Sequence, residues 1–141
     1  MKVSVLLAFV LLAGCDSGKP YPDLPEKNLR VQAGSTGGTV VMSVYRLDPR
    51  CVPEYEGSVE LEQPVVHIGL PADRRSRLVF EFRSSGLLDR TSIKKEVELL
   101  PRAGFRYDAR VSYKDGVYAV GLREIEPRSG LVRDLDPRGG C

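Results

Sequence analysis

Asp115-Gly116, set between two strictly alternating runs, leaves this chain few ways to fold. Phe105, Tyr107, Ala109, Val111 and Tyr113 alternate with Arg106, Asp108, Arg110, Ser112 and Lys114 ahead of it, and Val117 to Ile125 follow. Period-two alternation puts one set of side chains on each face of a strand. Asp-Gly suits the two positive φ angles of a type I′ turn, so the runs form a two-residue hairpin. That loop length fixes the register: Lys114 faces Val117, Tyr113 faces Tyr118, Val111 faces Val120 and Ala109 faces Leu122. On the other face Asp108 lies across from Arg123. A slip of one residue would expose the aromatic row, so the hydrophobic pattern reinforces the turn.

The rest of the chain has the same grain. Thr39 to Leu47 is apolar on both faces, as a central strand is. Val59 to Glu62 alternates, and Val65 to Leu70 is largely apolar and closed by Pro71. Leu78, Phe80 and Phe82 point one way while Val79, Glu81 and Arg83 point the other, and Ser84-Ser85-Gly86 breaks that strand. Ile93 to Leu99 and a short Leu131 to Leu135 complete the set. About seven or eight short strands, with turns between them and no long helical period, predict an all-β fold, an antiparallel β-sandwich. The pattern resembles the small Ig-like or PEGA-like domains of envelope lipoproteins.

The N-terminus has a different character. After Lys2, the stretch Val3 to Ala13 is apolar except for Ser4 and ends in Leu12-Ala13-Gly14-Cys15. It has the length of a signal-peptide core and falls well short of the ~20 residues a spanning helix needs. These residues resemble the signal peptide and lipobox of bacterial lipoproteins. The resemblance implies cleavage between Gly14 and Cys15, a diacylglycerylated Cys15 thiol and an acylated new amine. Two acyl chains already hold a protein on a bilayer without a spanning helix. An ordinary secretory signal with a cysteine near its cut is the alternative. The implied place is the periplasmic side of a bacterial envelope membrane. In enterobacterial lipoproteins an aspartate in the position of Asp16 resembles an inner-membrane retention signal, which favours the inner over the outer membrane. The expected organisation is a signal peptide over 1–14, a lipidated N-terminus and flexible Pro- and Gly-rich tether over 15–38, and a sandwich over 39–141.

With Cys15 lipidated, Cys51 and Cys141 remain as an even pair in a disulfide-permissive compartment. Both follow a Leu-Asp-Pro-Arg turn, Leu47 to Arg50 and Leu135 to Arg138. A Cys51–Cys141 disulfide is expected; the alternatives are two free thiols, or a Cys141 that pairs between molecules.

Composition excludes several classes. Lys and Arg number 21 against 19 Asp and Glu, a near balance that favours neither nucleic acid nor a polybasic membrane clamp. His67 is the sole histidine, with no nucleophile or metal motif around it, and reads as a partly exposed sheet residue. Two cysteines and one histidine are too few for a closed zinc site. Glu54, Glu56, Glu60 and Glu62 lack calcium-loop spacing and read as a solvated edge. Gly34 to Gly38 lacks the Lys and the helix of a phosphate loop. No catalytic residue, metal or cofactor is therefore expected.

Asp73-Arg74-Arg75-Ser76-Arg77 is the sharpest charge feature, and arginine forks suit carboxylate or phosphate. If the fold gathers them, Arg74, Arg75, Arg77, Arg106, Arg110 and Arg123 form one interaction patch; otherwise they solubilise turns and guard strand edges. The functional expectation is a non-enzymatic, membrane-anchored module that binds an envelope protein, as an inhibitor, immunity-type or accessory factor. A structural subunit of a secretion, transport or cell-wall assembly is the alternative, ahead of an enzyme acting on peptidoglycan or lipid.

Overall fold

The computed structural model describes residues 18–34, 38–84 and 92–141. The expected signal peptide, Cys15 and Asp16, and positions 35–37 and 85–91, lie outside the described residues. Among the described residues the regular elements are nine strands: β1 (Leu29–Ala33), β2 (Gly38–Leu47), β3 (Pro53–Glu60), β4 (Val65–Ile68), β5 (Ser76–Ser84), β6 (Ser92–Leu99), β7 (Arg106–Lys114), β8 (Val117–Ile125) and β9 (Val132–Leu135). They form two sheets. Sheet A runs β3-β2-β5-β6, and sheet B runs β4-β1-β7-β8-β9. The expected all-β sandwich is what the chain forms.

The inward halves of the alternating strands make its core. Met42, Val44, Leu78 and Phe80 of sheet A meet Leu29, Val31, Tyr107 and Ala109 of sheet B in one buried cluster. β2 lies between β3 and β5, which explains why Val41 on its outward face is also buried. The hairpin has the expected register at every pair, from Lys114↔Val117 to Asp108↔Arg123. Asp115 and Gly116 have φ of 52° and 79°, the positive pair that the turn requires.

The expected tether over 15–38 is corrected: where it is described, from Gly18 onward, it is built into the fold. Ser58 donates its N–H to the Lys19 carbonyl, and Tyr21 donates back to the Ser58 carbonyl, so the segment pairs along the β3 edge. The Tyr21 hydroxyl donates to the Gly69 carbonyl at 2.7 Å. Asn28 then bonds Leu70 twice, side-chain amide to carbonyl at 2.8 Å and Leu70 N–H to Oδ1 at 2.7 Å. β1 crosses to sheet B and inserts between β4, antiparallel, and β7, parallel. The physical reason is a short strand pattern. Leu29, Val31 and Ala33 point inward and alternate with Arg30 and Gln32, and burying Leu29 and Val31 repays ordering the segment.

Gly57 makes this edge possible. Its φ is 147°, and a Cβ there would lie 2.5–2.8 Å from the backbone of Tyr21 and Pro20. The strand expected at Val59 to Glu62 accordingly starts earlier, at Pro53, with a bulge where Val44 and Tyr45 meet β3. Proline is tolerated there as the first residue of a strand.

Cys51 and Cys141 form the expected disulfide, with Cα atoms 5.7 Å apart. The tail leading to it lies along the edge of β6, where Glu98 donates its N–H to the Pro137 carbonyl at 3.0 Å.

Candidate interaction surface

Sheet B turns outward a face with a charged row at its centre. Register places His67 of β4, Arg30 of β1, Asp108 of β7, Arg123 of β8 and Asp134 of β9 in one row across all five strands. Asp108 is the pivot. It is only 1% exposed although it points away from the core, because two arginines cover it. Arg30 Nε donates to Oδ1 at 2.8 Å and Arg123 Nη2 donates to Oδ2 at 2.7 Å. The Arg30 hydrogen bond, then that of Arg123, hold the Asp108 carboxyl below its ordinary pKa against the opposing effect of burial.

One row further along, Val65, Gln32, Arg110 and Gly121 face outward together. Gly121 presents no side chain beside Arg110, and open space lies above it. Arg106, beside Ile125, and Lys114, beside Val117, extend the same face. It therefore carries five cations (Arg30, Arg106, Arg110, Lys114 and Arg123) against two carboxylates, Asp108 and Asp134. Since Asp108 is already saturated by its two arginines, the surplus positive charge is presented to solvent. Exposed Val65, Val117 and Val132 punctuate it.

The single six-arginine patch is corrected. Arg106, Arg110 and Arg123 do share the outward face of sheet B, but Arg77 points outward from sheet A, in register with Tyr45 and Glu98. Outward faces of two stacked sheets look in opposite directions, so alternation alone does not unite them. The turn arginines are also engaged internally. Arg74 pairs with Glu56 at 2.6 Å, Arg77 with the buried Glu98 at 2.8 Å, and Arg75 lies against Gly140 of the tail.

The acidic run is likewise partly paired, since Glu54 bonds Arg46 as Glu56 bonds Arg74. Among the described residues no group of three or more His, Cys, Asp or Glu side chains is placed to hold a metal ion. His67 is an exposed member of the sheet-B row.

Two features escaped the sequence reading. Arg30 is the second partner of Asp108, hidden in the sequence because β1 is a short pattern between Pro-rich and Gly-rich flanks. Glu124 faces the interior next to β9 and is 5% exposed. It accepts from the Tyr107 hydroxyl at 2.9 Å, from Arg133 at 2.9 Å and from Arg102, whose guanidinium also lies 3.9 Å over the Phe105 ring. The Arg102 hydrogen bond leads in holding the Glu124 carboxyl below its usual range. Tyr21, mainly through burial and then the charge of Glu56, is pushed up to about 12 and stays a neutral donor. An inward carboxylate among apolar residues was the available signal for Glu124.

Sheet A has an outward groove of about 660 Å³. Val41, Val79, Tyr45 and Tyr55 form its floor, and Gly18 to Pro20 lie along one side.

Fold and surface together define a disulfide-stapled β-sandwich with a cation-rich outer face. No protein-family model matches the chain, and no curated protein matches it.

Proposed function

We propose that this protein is a lipid-anchored, non-catalytic binding module of the bacterial envelope, held at a membrane through Cys15, facing the periplasm and engaging the acidic surface of another envelope protein. The outward face of sheet B carries this reading, with surplus positive charge on a five-stranded platform. Flat sheet faces with fixed charges favour electrostatic recognition, in which charge complementarity steers encounter and fixes register. The lipobox residues Leu12 to Cys15 supply the reason for the envelope.

Two measurements test it. Cys15→Ser should abolish acylation and leave the precursor uncleaved by the lipoprotein peptidase; a normally processed, soluble product refutes the anchor. Capture from native envelopes, compared between wild type and an Arg106→Glu/Arg110→Glu variant, tests the surface. The captured protein should be lost from the variant, whereas equal capture by a folded variant refutes the assignment to sheet B.

A further inference from the structure

Docking of the N-terminal segment fixes more than the fold. Gly18 and Lys19 lie beside the outward groove of sheet A, held there by the Lys19–Ser58–Tyr21 backbone bonds along β3. Cys15 precedes Gly18 by three residues. Fully extended, that is about 10–11 Å of chain. The sandwich itself is thicker, since stacked sheets stand ~10 Å apart before outward side chains are added on both sides. A lipid on Cys15 cannot reach around it.

We infer that the outward face of sheet A rests against the lipid headgroups of the leaflet that holds Cys15, and that the arginine-bearing face of sheet B is turned away from the membrane. This rests on the anchor reading above and adds an orientation to it. The occupant assigned to the sheet-A groove is the headgroup layer. Its chemistry agrees with that: Tyr45 and Tyr55 give amphipathic rings, whose centroids are 5.4 Å apart, and such rings favour membrane–water boundaries. Lys19, Arg83 and Lys94 line it together with Glu60 and Glu81, and Arg83 pairs with Glu81, so the tyrosines rather than net charge carry the fit to headgroups. The partner surface on sheet B is then free for a protein approaching from the periplasmic side.

The test uses the full lipidated protein in vesicles whose headgroups carry a nitroxide quencher. A fluorophore is placed on sheet A through Lys94→Cys, or on sheet B through Ala119→Cys, with the Cys51–Cys141 disulfide intact. Mass spectrometry of vesicle-bound protein first shows whether Cys15 is acylated; its absence overturns the anchor reading, and this inference with it. With acylation present, quenching should be several-fold stronger at position 94 than at 119. A spacer of about twelve Gly/Ser residues between Ser17 and Gly18, adding roughly 20 Å of reach, should abolish that difference. Equal quenching in the native-length protein, or stronger quenching at 119, overturns the orientation while leaving the anchor standing. A difference that survives the spacer overturns the short reach as its cause.

Discussion

Replacing Cys51 and Cys141 together by serine opens a loop whose ends are 90 residues apart and which contains seven of the nine strands, β3 to β9. In the chain-entropy account, closing a loop of that length removes unfolded-state freedom equivalent to about 4.6 kcal/mol at 25 °C, while measured disulfides cluster nearer 2–4 kcal/mol. The native state should keep its core, because both cysteines lie outside the strands and the buried cluster does not include them. What it loses locally is modest. The tail is held otherwise by the Glu98–Pro137 backbone bond and by the Cys141 N–H donating to Glu98 Oε2 at 3.3 Å. Expected, then, is a loss of about 2–5 kcal/mol, carried mostly by the unfolded state. For a domain of this length it corresponds to a fall in Tm of roughly 8–20 °C. Urea unfolding followed by tyrosine emission suits the protein, which has six Tyr and no Trp. The m-value should also rise, because a chain without the crosslink exposes more surface when it unfolds. A loss below about 1 kcal/mol with an unchanged m-value would refute the reasoning.

Asp108→Asn removes a buried carboxylate whose folded pKa is depressed, so its contribution is complete above the unfolded value near ~3.9 and is lost as pH falls through the lower folded value. Arg30 and Arg123 are partly exposed, which discounts the ~3–5 kcal/mol typical of breaking a fully buried pair to about 2 kcal/mol at pH 7. Denaturation at several pH values should show the gap between variant and wild type closing below about pH 4, and a constant gap would contradict the ion-pair explanation. Gly57→Ala would drive a Cβ into the Tyr21 and Pro20 backbone and should cost about 1–3 kcal/mol. Hydrogen exchange should then quicken at the Tyr21 and Ser58 amides and stay slow at Val111; uniform protection would show that the edge accommodates the methyl.

The hairpin was legible because each local preference agreed: a turn that demands positive φ, a period of two, and an inward row of Tyr107, Ala109, Val111 and Leu122 that only one register buries. β1 was obscured for a local reason. Leu29 to Ala33 is a five-residue alternation between a Pro-rich stretch and a Gly-rich one, too short to outweigh its flanks. Its partner β7 is also distant in sequence and parallel, and local patterns carry no information about such a pairing. The Arg30–Asp108 contact was lost with it, although Asp108–Arg123 was visible from the hairpin register. The Cys51–Cys141 pairing was readable by arithmetic, given a lipidated Cys15, because only two cysteines remained.

Sequence alone determined the hairpin register, the alternation of Leu78, Phe80 and Phe82 in β5, and the all-β class, since these follow from alternation and turn chemistry within a few residues. Tertiary structure alone decided which sheet each outward face belongs to. It therefore separated Arg77 from Arg106, Arg110 and Arg123, buried Asp108 beneath two arginines from different strands, and folded the supposed tether against β3 and into sheet B. Alternation distinguishes inside from outside along one strand, whereas the side of the sandwich is a property of strand order.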